Sequence, residues 1–247
     1  MKMTSWLSEA HLDDFLARCD WSIRHLRQRD REWRKLKPAL RSAQSATSKA
    51  ERAFTFVYLA GALEDMFRAL DEHLAADLKR LEIRPHDLRL AAFSLLFPKV
   101  WESVSTDRVE RLVRRRSLVD SIGAFYAGTE PIDFSQIERL HLTDGRTVNT
   151  NHFDALWHGL CLSPNDEVLW PSHAHRNAIL MLAEKRNTIA HFNTDPRDEA
   201  FRFSYDDLAT MAERVKEVVE RLREHILEYF DNHEDGRTKV GASAAGA

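Results

Sequence analysis

Apolar residues recur three and four positions apart through most of the chain, the period of helices rather than the two-residue alternation of half-buried strands. The pattern is clearest over residues 50–82, where Phe56, Leu59, Leu63, Phe67, Leu70, Leu74 and Leu78 trace one face of a long helix. Residues 5–37 predict a second helix, rich in charge, whose apolar members include Trp6, Phe15, Trp21, Leu26 and Trp33, and Pro38 closes or bends it. Between them ALRSAQSATS, residues 39–48, reads as a partly helical connection. Pro85 ends the long helix, a shorter apolar helix follows over 87–97, and another spans 107–125 before Gly128 and Pro131. Residues 130–172 read as short helices joined by loops, with RLHLTDGRTV a candidate hairpin around Asp144-Gly145.

Residues 173–192 predict a helix with Ala178, Ile179, Leu182, Ala183 and Ile189 on its apolar face, stopped by Asn193 and Pro196. The last helix starts at Ser204, whose spacing to Asp207 resembles a capping box with Asp in place of Glu or Gln. It keeps one apolar face from Leu208 to residue 230, and the low-complexity tail GRTKVGASAAGA reads as disordered. These patterns divide the chain into a charged N-terminal helix and connection (1–48), a helical domain (49–231) and a tail (232–247).

Composition supports an all-α fold. Among 247 residues, 43% are hydrophobic, enough to bury a core, and only 8 are Gly and 7 Pro, too few for the turns of an all-β protein. Two cysteines, Cys19 and Cys161, exclude a disulfide framework and a four-cysteine zinc site and point to a reducing compartment. No run has the length and apolarity of a membrane span, and the N-terminus carries acids where a signal peptide is apolar, so the expectation is a cytoplasmic protein without membrane contact.

The formal net charge of −3 hides two basic runs. Arg24 to Arg41 holds eight basic residues against Asp30 and Glu32, and Arg108 to Arg116 holds five arginines against Glu110. Each is either a solvated helix face or a track for a nucleic-acid backbone, and Arg111, Arg114, Arg115 and Lys185 are the candidate RNA contacts. His173-Ala-His175 is tight, but positions two apart point to different sides of a helix, so no metal is assigned.

The stretch EKRNTIAHFN, residues 184–193, carries the candidate chemistry. Asn187 and His191 are four apart and share a helix face, with Arg186 one step round and long enough to join them. His191 falls in the last turn, and histidine serves as acid or base near neutral pH. The bland alternative is a helix end whose histidine bonds the last carbonyls, with Arg186 paired to Glu184 or Asp195.

The string Arg186-Asn-Thr-Ile-Ala-His191 resembles the Arg-polar-x-x-x-His motif of the HEPN superfamily, all-α domains that handle nucleotides and RNA. AFTFVYLAGALEDMFRAL, residues 53–70, is similar to the family's early core helix with a mid-helix acid, and SYDDLATMAERVKEVVERL is similar to the helix after the motif. The resemblance covers roughly residues 50–230 and is nearest to RiboL-PSP-HEPN-like proteins. Two departures are Phe192, where many relatives have Gly, and a basic N-terminal helix without counterpart.

The resemblance implies a HEPN-like helical bundle with an extra N-terminal helix, acting as a metal-independent endoribonuclease without cofactor. In that scheme the 2′-hydroxyl attacks the adjacent phosphate, His191 moves a proton, Arg186 binds the phosphate, and Asn187 orients phosphate or imidazole. Glu64, or Asp65, would position Arg186 or His191. The same resemblance implies a homodimer and a toxin or antiviral effector restrained by an antitoxin or other regulatory protein. An inactive HEPN-like module that binds RNA or protein is the alternative.

Overall fold

The computed structural model describes residues 6–85, 96, 111–133, 137, 140, 142–143, 147–160, 169–191 and 195–244, with backbone alone for 111–117, 201 and 234–244. All regular structure among the described residues is helical: α1 (Leu7–Lys35), α2 (Pro38–Ala43), α3 (Ser45–Arg80), α4 (Arg111–Tyr126), α5 (Thr150–Gly159), α6 (His173–Ala190), α7 (Pro196–Phe201) and α8 (Tyr205–Ala244). Of the helix expected over 87–97 only Leu96, helical and buried, is described; of the candidate hairpin, residues 140, 142, 143, 147 and 148 are described and are not strand, and Asp144-Gly145 lie outside the described residues.

Four long helices form the framework. α1 packs against α8 and α3, α6 packs against α3 and α8, and α3 also touches α8 across the middle. Side-chain pairs fix their directions. From one end of the α1–α8 seam to the other, Glu9 and Asp13 meet Arg223, Asp20 meets Lys216, and Arg27 meets Glu213 and Asp206. Along the α1–α3 seam, His11 stacks on His73, Trp21 tilts against Tyr58, and Arg29 meets Glu51. Both seams are antiparallel, and Glu64 meets Arg186 across the α3–α6 seam. Ion pairs this exposed contribute about 1 kcal/mol or less each, so they register the helices more than they hold them.

Burial holds them. Phe56, Leu59, Leu63, Phe67, Leu70, Leu74 and Leu78 of α3 are all buried, as are Leu208, Met211, Val215, Val218, Leu222 and Ile226 of α8, in agreement with the helical periodicity. Leu12, Phe15, Cys19 and Leu26 of α1 belong to the same apolar cluster. The N-terminal helix is therefore a wall of the bundle and not an addition to it. Its charge conceals this in the sequence, because the apolar stripe is one residue wide on a helix whose other faces are polar. Cys19 faces the core, and burial pushes its thiol up to about 12, so it is no nucleophile.

Three element ends differ from the sequence reading. Pro38 and Pro196 do not simply stop helices; each stands at the first position of a short new one, α2 and α7, where a missing N–H costs nothing. α8 continues helical to Ala244, through a stretch without proline. Its start follows expectation: the Ser204 N–H and hydroxyl donate to Asp207 Oδ2 at 2.8 and 2.7 Å, and the Asp207 N–H donates back to Ser204 Oγ at 3.0 Å.

α1 begins without a cap of its own. Asp77, fully buried near the end of α3, accepts from the N–H groups of Leu7 and Ser8 at 3.1 and 2.9 Å and from Ser8 Oγ at 2.7 Å. Two of the four orphan donors of a helix start are thus satisfied by a residue 70 positions away. Asp77→Ala leaves them buried without acceptors and should lower the unfolding free energy by about 2–3 kcal/mol in denaturant titration. A change below about 0.5 kcal/mol would show that water replaces the carboxylate freely.

Candidate functional site

The second buried acid of α3, Asp71, prepares one flank of the helix. Its carboxylate accepts from the Leu142 N–H at 2.8 Å, and its carbonyl accepts from the Leu140 N–H at 3.0 Å. Glu64 stands seven residues earlier on the same flank, because seven residues close two helical turns. The chain after Leu142 reaches Thr147 there, and Asn149 then caps α5 through a reciprocal pair with His152.

On the facing helix, α6, the motif residues assemble at this point. Arg186 Nη2 donates to Glu64 Oε2 at 3.1 Å, and Arg186 Nη1 donates to Asn187 Oδ1 at 3.3 Å. Thr147 Oγ1 donates to the same Asn187 oxygen at 2.6 Å. Glu64 Oε1 is buried and has no hydrogen-bond partner among the described residues. Arg186 and Glu64 retain 29% and 20% side-chain exposure, so the pair is sheltered yet open on one side.

This arrangement fixes the Asn187 amide. A guanidinium has only donors, so the amide atom beside it must be oxygen. The Thr147 hydroxyl supplies that oxygen with a second donor. The Asn187 NH2 group makes no hydrogen bond among the described residues and is left for another acceptor.

His191 follows one turn after Asn187, at the end of α6. Its backbone N–H donates to the Asn187 carbonyl at 3.1 Å, while its exposed side chain makes no hydrogen bond among the described residues. The ring therefore does not cap the helix, and Arg186 pairs with neither Glu184 nor Asp195 among them. Asp195 instead binds Arg197, whose guanidinium first and N–H second hold its carboxyl down at about 2.

The other expected residues fall elsewhere. Asp65 is exposed and pairs with Arg68, so Glu64 is the acid that meets Arg186. Lys185 turns to the opposite side of α6 and donates to Glu199 of α7 at 2.9 Å, a bond that raises its pKa ahead of the opposing effect of burial. Its ammonium is a strut between α6 and α7, which leaves little of it for RNA. Arg111, Arg114 and Arg115 lie on α4, whose side chains there are outside the description. Phe192 and Cys161 also lie outside it. His175 bonds Glu217 and Ser172, and among the described residues no group of three or more His, Cys, Asp or Glu could hold a metal ion. No helix of those residues is long and apolar enough to cross a membrane.

Thr147 was not legible as a site residue: a lone threonine in a polar stretch has no periodicity, and its role depends on a contact 40 positions away. Compared with family models, curated proteins and solved structures, the chain matches none.

The Glu64–Arg186 contact predicts a measurable coupling in the folded protein itself. A double-mutant cycle of Glu64→Ala and Arg186→Ala should give an interaction energy of about 1 kcal/mol in unfolding experiments. Additive effects would mean that the two side chains do not act as a pair in solution.

Proposed function

We propose that the Arg186, Asn187 and His191 cluster is the active site of a metal-independent endoribonuclease. The observation that carries this reading is the joint fixation of Arg186 by Glu64 and of Asn187 by Thr147 and Arg186, one helical turn before an exposed imidazole that makes no hydrogen bond among the described residues. A purely structural polar patch consumes its donors internally. This one keeps donors for an anion and a titratable ring for a proton.

The reaction the cluster suits is transesterification of RNA. The 2′-oxygen attacks the adjacent phosphorus as the 2′-hydroxyl loses its proton, and the P–O5′ bond breaks as O5′ gains one. His191 accepts the first proton and returns one to the leaving oxygen. Arg186 and the Asn187 NH2 group face the non-bridging oxygens, where charge builds in the pentacovalent transition state. Glu64 orients Arg186 and Thr147 orients Asn187, so neither needs to touch RNA. The products are a 2′,3′-cyclic phosphate and a 5′-hydroxyl. A homodimer that brings two α6 helices together, and restraint by an antitoxin-like protein, belong to the same proposal.

Purified protein incubated with mixed tRNA and mRNA in EDTA should release fragments with cyclic phosphate ends. Arg186→Ala and His191→Ala should each slow this by about 100-fold or more. Folded wild-type protein that binds RNA and never cuts it would instead favour a non-cleaving interaction module.

A further inference from the structure

The basic run on α1 divides into two halves once the neighbouring helices are in place. Arg27 and Arg29 are taken by Asp206, Glu213 and Glu51 of other helices, Arg34 pairs with Asp30, and Arg41 donates to the carbonyls of Trp33 and Arg34. Arg24, Arg31 and Lys35 are exposed and form no ion pair among the described residues. At 100° per residue these three fall within one stripe of α1 that also includes Trp21 and His25. Glu32 shares this stripe but is bonded to Gln28 and Arg29, which leaves the three cations without a carboxylate of their own among the described residues.

At its N-terminal end the stripe meets a cavity of about 130 Å3 between α1 and α3. Trp21, His25, Phe54 and Tyr58 line it together with Glu51, whose carboxylate is neutralised by Arg29, and the Trp21 and His25 rings lie parallel, 3° apart in plane. Trp21 is 51% and Phe54 63% exposed, an unusual state for two large rings. Ser22, itself only 3% exposed, also lines the cavity, and its Oγ has no hydrogen-bond partner among the described residues. An apolar slot walled by aromatic rings, holding one unpaired polar group and opening beside free cations, has the chemistry of a site for an unstacked base on a polyanion.

We infer that this α1–α3 pocket binds one nucleobase of single-stranded RNA while Arg24, Arg31 and Lys35 follow its phosphates. The inference rests on the reading of the protein as one that acts on RNA. Tyr58 precedes Glu64 by six residues, about 9 Å along α3, so pocket and cluster lie within a short reach of one strand. The outer face of α3 between them carries the exposed Val57 and Gly61, and a Cβ added at Gly61 meets nothing within 4 Å. Neither residue raises a charge or a bulky side chain against an extended strand. Single strands fit better than a duplex, whose bases are already stacked and paired.

The test uses the full chain carrying His191→Ala, so that bound RNA stays whole, and reads anisotropy of a labelled single-stranded RNA and of an abasic ribose-phosphate oligomer of equal length. Adding Trp21→Ala should weaken RNA binding about tenfold and leave the abasic oligomer unaffected, while Trp21→Phe retains most of the affinity. Replacing Arg24, Arg31 and Lys35 by Ala should weaken both and flatten the plot of log affinity against log salt by about 2. Thermal melting checks that each variant is folded. Unchanged RNA affinity in Trp21→Ala, equal losses for the two oligomers, or an acidic peptide that binds the stripe while RNA does not would each overturn the inference. Tight, Trp21-dependent binding by a wild-type protein that never cleaves would uphold it and sink the nuclease reading; cleavage with Trp21-independent binding would do the reverse.

Discussion

Helix α3 has to bury side chains toward α1, α6, α7 and α8 at once, and the remaining architecture follows from that constraint. A helix with one neighbour needs a single apolar stripe, whereas one with four is apolar around most of its circumference. What stays outside is a narrow strip containing Phe54, Val57, Gly61, Asp65 and Arg68. Three acids of α3 act as joints. Glu64 meets α6, Asp71 holds the segment at Leu140 and Leu142, and Asp77 holds the start of α1. Polar groups that are expensive to bury have become the joints at which other elements attach.

The candidate cluster depends on these joints as much as on its own helix. Arg186 and Asn187 are adjacent in sequence but diverge by 100° around α6, and they cooperate only because Glu64 and Thr147 draw their side chains together. One anchor comes from the facing helix and the other from Thr147, five residues after the Leu142 that Asp71 holds. The precision of the donors therefore comes from tertiary structure, while the motif supplies only the chemical groups. His191 stands apart from this network at the helix end, with its ring exposed.

How much of this the sequence disclosed depends on the range of each interaction. The faces of α3 and α8 were legible because period and burial are the same fact seen twice: every apolar position used to predict α3, Phe56 to Leu78, is buried. The Ser204–Asp207 cap was legible because both partners lie within one turn. Arg186, Asn187 and His191 could be singled out by spacing, and Glu64 by its place midway along the facing helix. Thr147, Asp71 and Asp77 could not, since nothing nearby in the chain marks an acid or hydroxyl for a contact 40 to 71 residues away. The basic run on α1 misleads for the same reason. Its acidic partners Glu51, Asp206 and Glu213 lie on other helices, so only the fold separates structural cations from free ones.

The borrowed cap of α1 bears on the order of assembly. A helix that supplies its own cap can hold its first turn before it docks, but the amides of Leu7 and Ser8 have acceptors only once the far end of α3 has arrived. Trp6 lies at the same corner, against Phe230 of α8 and beneath the Arg80 guanidinium at 4.6 Å. Three chain segments close there together, so the N-terminal turn becomes a late step in folding. In the native protein the exchange of those two amides with solvent then follows the opening of the whole corner, and a terminus that would ordinarily fray reports on the cohesion of the bundle.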